Sequence, residues 1–247
     1  MVTGSNCVLY YGEELPDRAA SRRMIGTVVL QPYHPLVQSG DFAAYFPNCR
    51  RFVYWNPTGI HCAELVSLER SVRFECWDPR WKIARLDLRD SRTQEYVVEM
   101  GINLLGSNGD THGLFVDDLD LWAHGRRRAA AKRVLERVAA AAGDQFSWFM
   151  NRGFPLWRTT DNLYAVLLEE LTADDVAEGS LTDAAWISRF VLPPVRRART
   201  NGTQVFAVSY RSAGATPPAG LPAELATLTD LTLYGTPKLD DWPEELR

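Results

Sequence analysis

The sequence predicts an α/β chain folded as a (β/α)8 barrel, spanning residues 1–247 as one domain, on three observations. Short apolar or β-branched runs recur along the chain, each followed by polar, Gly- or Pro-bearing residues and then a longer segment, the alternation of repeated βα units. Eight such runs can be counted: 8–11, 27–30, 52–55, 113–116, 146–150, 163–168, 205–209 and 231–234. The length of 247 residues matches the roughly 250 that this architecture occupies as a single domain.

Each element has its own signals. A ninth run, Lys82–Leu86 in RWKIARLDLRD, lies between the third and fourth and is assigned to a long excursion after the third strand. In such barrels the loops at the C-terminal ends of strands build the site. The clearest helix is Arg126–Ala142, where Val134, Leu135, Val138, Ala141 and Ala142 repeat at helical spacing and Gly143 supplies a stop. Its cationic residues are read as a solvated face of an outer helix. A further helix is expected from Thr172, since TADD offers an N-cap hydroxyl with acids in the first turn. The Pro/Gly-rich stretch 212–224 suits a surface connection.

Composition narrows the function. With 46% hydrophobic residues and eight Trp the chain can bury a sizeable core. Its 27 basic residues are outweighed by 31 acids, for a net charge of −4, so no overall field favours nucleic acid as a partner. No basic region leads into an apolar N-terminal stretch and no apolar run approaches a membrane span, so a cytoplasmic protein without membrane partners is expected. The four cysteines form no CxxC pair and read as reduced thiols, with a Cys49–Cys62 disulfide as the alternative.

Two strand ends gather acids. In HGLFVDDLDLW an apolar strand ends in Asp117, Asp118 and Asp120, which repel one another unless solvated, hydrogen-bonded or matched to a cation. The structural alternative is a turn whose aspartates cap the next helix. In NLYAVLLEELTA a second strand delivers Glu169 and Glu170, which alternation sends to opposite sides, so at most one points over the barrel mouth. Between them, FSWFMNRGFPLW ends a strand in Asn151 and Arg152. Two carboxylates with nearby donors are the minimum for glycosidic cleavage, one protonating the leaving oxygen while the other attacks or stabilises the anomeric carbon. No GxSxG, HExxH, GxxxxGK[ST] or GxGxxG motif occurs, and the four histidines are dispersed. The DDLD acids could take Mg²⁺ or Ca²⁺ through oxygen, but no metal ligand and no cofactor is assigned. Trp55, Trp77, Trp81, Trp122 and Trp157 sit near predicted loop ends, and two of the five are expected to meet a ligand, the rest to be core.

GLFVDDLDLW resembles the G-hydrophobic-hydrophobic-hydrophobic-D-N/D-x-D segment of glycoside hydrolase family 114, the endo-α-1,4-polygalactosaminidases and their relatives. LYYG, FVYWN, RLDL, FMNRG, VLLEEL and VSY fall in the family's order, so the resemblance spans most of the chain. It implies a (β/α)8 barrel acting on a carbohydrate, with Asp117 as nucleophile and Glu169, the choice over Glu170, as general acid/base. It also implies that Tyr11, Asp87, Asp118, Asn151 and Tyr210 line the saccharide site. Asp118 replaces the family's common Asn, and the third strand ends in WNP where relatives often carry a small polar pair. Two other readings stand beside it: a non-hydrolytic sugar-binding barrel of the same ancestry, and a metal-dependent lyase or isomerase using the DDLD acids.

Overall fold

In a computed structural model the structure describes residues 7–18, 26–65, 72–107, 109–169, 186–209, 223–228 and 230–233. The elements that position the site follow in chain order. Strands β1 (Cys7–Tyr10), β2 (Thr27–Leu30) and β3 (Arg50–Trp55) come first, then the short strands β4 (Gly59–His61), β5 (Phe74–Asp78) and β6 (Ile83–Leu86). Helix α1 (Ser91–Gly106) precedes β7 (Gly113–Val116), and helix α2 (Gly125–Ala142) precedes β8 (Ser147–Asn151). Strand β9 (Leu163–Glu169), helix α3 (Leu192–Thr200), β10 (Gln204–Ser209) and β11 (Asp230–Leu233) complete the set.

Eight of these strands pair in parallel in the order β1-β2-β3-β7-β8-β9-β10-β11. Cα atoms of β11 return to within 8 Å of β1, bringing the sheet round into a (β/α)8 TIM barrel. All eight expected runs are barrel strands, displaced by a residue or two at most at the ends that the structure describes. The Lys82–Leu86 run forms β6, which stands outside the barrel in an antiparallel sheet of order β4-β6-β5.

The barrel strands are nearly continuous apolar runs because both faces are covered. Alternate residues divide between two cores. Leu9, Val29, Phe52, Phe115, Phe149 and Leu167 fill the interior, whereas Val28, Val53, Leu114, Trp148 and Val166 pack outward against the helices. The interior is aromatic: Phe149 meets Phe115 edge-on at 4.9 Å between centroids and Phe52 at 5.5 Å. One irregularity sets the phase of β9. Trp148 pairs with Leu163 but Phe149 pairs with Ala165, so Tyr164 is an extra residue, a bulge. Tyr164 turns inward, stacks on Phe52 at 5.4 Å and shares a hydrogen bond of 2.9 Å with Thr27 Oγ1. Beyond it Ala165, Leu167 and then Glu169 belong to the inward series, although Leu163 packs outward.

The Arg126–Ala142 helix is observed from Gly125, and Gly143 ends it with φ +82°, a conformation that favours glycine. Helix α1 carries its own start signal: Asp90 accepts from the Thr93 amide at 2.9 Å as N-cap, and Val97, Val98 and Gly101 form its buried stripe. The helix expected at Thr172 and most of the 212–224 connection lie outside the described residues. All four cysteines are unpaired. Among the described residues no helix is long and apolar enough to cross a membrane.

At the opposite end of β7 from its acids, His112 Nδ1 accepts from the Arg51 amide at 3.1 Å. Burial, aided by Arg51 and Arg50, lowers the imidazole to about 4. The unfolded state, near 6.5, therefore takes up its proton first. The stabilisation is complete above about pH 6.5 and is lost as pH falls toward about 4. For this partly exposed ring the loss should be on the order of 1–2 kcal/mol. Urea denaturation across that window should show it, and His112→Asn, which keeps an acceptor but does not titrate, should flatten the profile; an equally steep profile in the variant would assign the slope to other groups.

Candidate active site

The site grows from the C-terminal end of β7. The Asp117 amide donates to the Trp55 carbonyl at 3.0 Å, extending the β3–β7 ladder one residue past the strand. Asp118 then adopts a left-handed φ of +56°, which Asp and Asn tolerate better than most residues, and the chain turns into a short 3₁₀ segment, Leu119–Leu121. Asp117 continues the inward series of Phe115 and is half-buried.

Three donors hold its carboxylate. Tyr54, inward on β3, donates its hydroxyl to Asp117 Oδ2 at 2.7 Å. Asn151, the last residue of β8, donates from Nδ2 to Oδ1 at 2.8 Å, and the Asp118 amide donates to the same oxygen at 2.8 Å. Loss of hydration, reinforced by the adjacent Asp118 charge, pushes the Asp117 carboxyl above its ordinary value, while the three donors oppose the shift. Burial and the same carboxylate push the Tyr54 phenol upward, so it stays protonated and donates.

The other two acids of DDLD are engaged elsewhere. Asp118 Oδ2 accepts from Arg85 at 2.7 Å and from Asn56 Nδ2 at 3.0 Å. Asp120 Oδ1 accepts from the Gly153 amide at 2.8 Å, tying the loop after β7 to the loop after β8. Gly153 has φ +68°, and a Cβ there would stand 2.6 Å from Leu119 Cβ, so the glycine of NRG permits the close approach of these loops. The three acids thus engage separate partners. Among the described residues no group of three or more His, Cys, Asp or Glu is placed to hold a metal.

Glu169 ends β9, level with Val208 of β10, on the inward series and at the same barrel end as Asp117. Tyr11 lies beside Tyr54, edge-on at 5.1 Å, and its carbonyl accepts from Tyr33. Asp87 is buried, and both its oxygens are taken by the Arg89 side chain at 2.7 and 3.0 Å, so it shapes its own turn. Tyr210 lies outside the described residues. Of the five tryptophans, Trp55, Trp122 and Trp157 are core, whereas Trp77 and Trp81 are 49% and 56% exposed.

Sequence reasoning missed Tyr54, Asn56 and Arg85. Tyr54 could have been found, because it follows inward Phe52 by two residues at a strand end. Nothing local marks Arg85, whose partner Asp118 is 33 residues away.

No family model matches the sequence, and no curated protein matches it. Solved structures do resemble the fold. The glycoside hydrolase domain of PelA from Pseudomonas aeruginosa superposes with a TM-score of 0.69 at 20% identity, over 96% of each chain. Aspergillus fumigatus Ega3 in complex with galactosamine gives 0.65 at 10% identity, over 97% of this chain and 94% of its own. TtGalA, an α-galactosidase from Thermus thermophilus, gives 0.54 at 12% identity over 99% of this chain and 64% of its own. At these identities the likeness speaks to the barrel.

Proposed function

We propose that this chain is a glycoside hydrolase that cleaves an α-linked amino-sugar glycan of galactosaminide type with retention of configuration. One observation carries the reading. An inward carboxylate at the C-terminal mouth, Asp117, is held by donors from two neighbouring strands, and a second carboxylate, Glu169, shares its end and its inward phase. That PelA is a glycoside hydrolase and that Ega3 takes up galactosamine supports the choice of chemistry.

Asp117 is the nucleophile in this reading. Tyr54 and Asn151 fix its carboxylate so that one oxygen can attack the anomeric carbon as the glycosidic bond breaks. Glu169 protonates the departing oxygen, then takes a proton from the water that releases the sugar from Asp117. Tyr11, Asp118 and Asn151, with Tyr210, would line the sugar site. Asp87 would join them with its carboxylate held by Arg89, as that of Asp118 is held by Arg85.

The test is a panel of acetylated and deacetylated amino-sugar oligomers, with products read by mass spectrometry and the anomer formed first read by proton NMR. Cleavage with the configuration kept is expected; an inverted product would overturn the nucleophile role, and an uncleaved panel the substrate class.

Substrate charge gives a second expectation. Asp118 and Asp87 are ion-paired and Asp120 is bonded to a backbone amide, so the mouth is less acidic than its sequence suggests. Asp117 and Glu169 would still favour a protonated amine. Free-amine oligomers should bind about tenfold tighter or less, as a partly exposed ion pair permits, and the preference should shrink as salt shortens the screening length from about 10 Å at 0.1 M to about 3 Å at 1 M. Calorimetric titration at two salt concentrations reads it; equal affinities unaffected by salt would remove the amino-sugar preference.

A further inference from the structure

Asp117 and Asp118 are adjacent carboxylates with different surroundings. Among the described residues Asp117 accepts from uncharged donors, those of Tyr54, Asn151 and the Asp118 amide. Asp118 sits on the guanidinium of Arg85, which is 9% exposed and comes from β6 of the antiparallel sheet. Arg85 is itself held from three sides: Nη1 donates to Asp118 Oδ2 at 2.7 Å and to Thr58 Oγ1 at 3.0 Å, while Nη2 donates to Asp78 Oδ2 at 2.8 Å. Asn56, whose own Oδ1 accepts from the Thr58 amide and hydroxyl, adds a second bond to Asp118. The planar fork of arginine suits such bridging, which the point charge of lysine cannot reproduce.

Two carboxylates on consecutive residues disfavour each other's ionisation unless one is compensated. Here the compensated one is Asp118. We infer that Arg85 is a positioning residue for Asp117: by clamping Asp118 to the antiparallel sheet it offsets part of the charge nearest the nucleophile and holds the left-handed turn that presents Asp117 to Tyr54 and Asn151. The inference rests on the nucleophile reading for its catalytic consequence, but its electrostatic core does not need that reading. Among the described residues the groups that act on Asp117 are Asp118 on its own loop, Tyr54 from β3 and Asn151 from β8, with Arg85 from β6 acting through Asp118 and Glu169 two strands away at the end of β9.

The experiment compares Arg85→Met, Arg85→Lys, Asp118→Asn and the double variant Arg85→Met/Asp118→Asn. Asp117 is titrated by ¹³C carboxyl NMR, its signal identified by its loss in Asp117→Asn, and kcat/KM is followed against pH. Arg85→Met should raise the Asp117 midpoint by about one pH unit and lower kcat/KM about tenfold on the acid side, with a far smaller change at high pH. Asp118→Asn, which tolerates the left-handed turn, should lower the midpoint. The double variant, with both charges gone, should return close to wild type, and Arg85→Lys should fall between. An unmoved midpoint in folded Arg85→Met, or a double variant whose midpoint stays as high as that of Arg85→Met, overturns the inference. If Arg85→Met does not fold, Asp118→Asn decides, since a midpoint that fails to fall has the same force. If the titrations shift as described but no glycan is cleaved, the fault lies in the glycosidase reading.

Discussion

Asp117→Asn should lower turnover of a cleaved substrate by about 10³-fold or more while leaving the fold intact. The substitution keeps the volume of the side chain, and an amide can still meet the Tyr54 hydroxyl and Asn151, but it cannot attack an anomeric carbon. Stability should move the other way. The folded carboxyl lies above its ordinary value, chiefly through loss of hydration, so holding it ionised costs stability at neutral pH. The variant should therefore be at least as stable as the parent at pH 7, and the advantage should fade as pH falls through the raised folded value toward the unfolded value near 4, below which it is gone. Glu169→Gln should cost about 10²–10⁴-fold, the range of a lost acid/base group. Turnover and urea denaturation measured on the same preparations separate the two effects. Wild-type turnover in either variant would remove that residue from the mechanism, and a collapsed fold in both would mark the carboxylates as structural.

The second large effect is expected at Gly113, the first residue of β7. A Cβ there would stand 1.8 Å from the Ser147 carbonyl oxygen and 2.9 Å from its carbon, both backbone atoms of the neighbouring strand. Gly113 pairs with Phe52 on one side and Ser147 on the other, so the clash is relieved only by parting β7 from β8. Gly113→Ala should cost about 3 kcal/mol or more, beyond ordinary overpacking. It should also weaken catalysis, because β7 and β8 carry Asp117 and Asn151. Gly106→Ala is the control: nothing lies within 4 Å of its added Cβ and its φ is not left-handed, so it should be neutral or stabilise by up to about 1 kcal/mol. Denaturant midpoints measure both; a Gly113→Ala protein within about 1 kcal/mol of the parent would show that the strands part easily.

Much of the architecture was legible because it depends on short-range pattern. The apolar runs of VVL, GLFV and AVLL are buried on both faces, and the helical repeat of RRRAAAKRVLERVAAAA ends at a glycine. The excursion around RWKIARLDLRD was separable from the barrel because counting it would have made a ninth strand. Its content was not legible: it supplies Arg85, a side chain of the candidate site, and it pairs Asp87 with Arg89.

The sequence by itself determined the eight strands, their order and the arrival of carboxylates at the ends of two of them, since alternation and capping act between residues a few positions apart. The phase of Glu169 was not legible from alternation alone. Counting alternation from outward-facing Leu163 would send Glu169 outward, and only the bulge at Tyr164, visible once β9 pairs with β8, restores the inward phase. The fates of the three DDLD aspartates were likewise decided in three dimensions. Tyr54 reaches Asp117 across 63 residues, Asn151 across 34, Arg85 reaches Asp118 across 33, and Gly153 reaches Asp120 across 33. A carboxylate's role follows from the donors and charges within a few ångströms of it. Only the tertiary structure brings those groups within that range, because the chain segments that carry them have no contact until β3, β7 and β8 pair side by side and the antiparallel sheet sets Arg85 of β6 against the loop after β7.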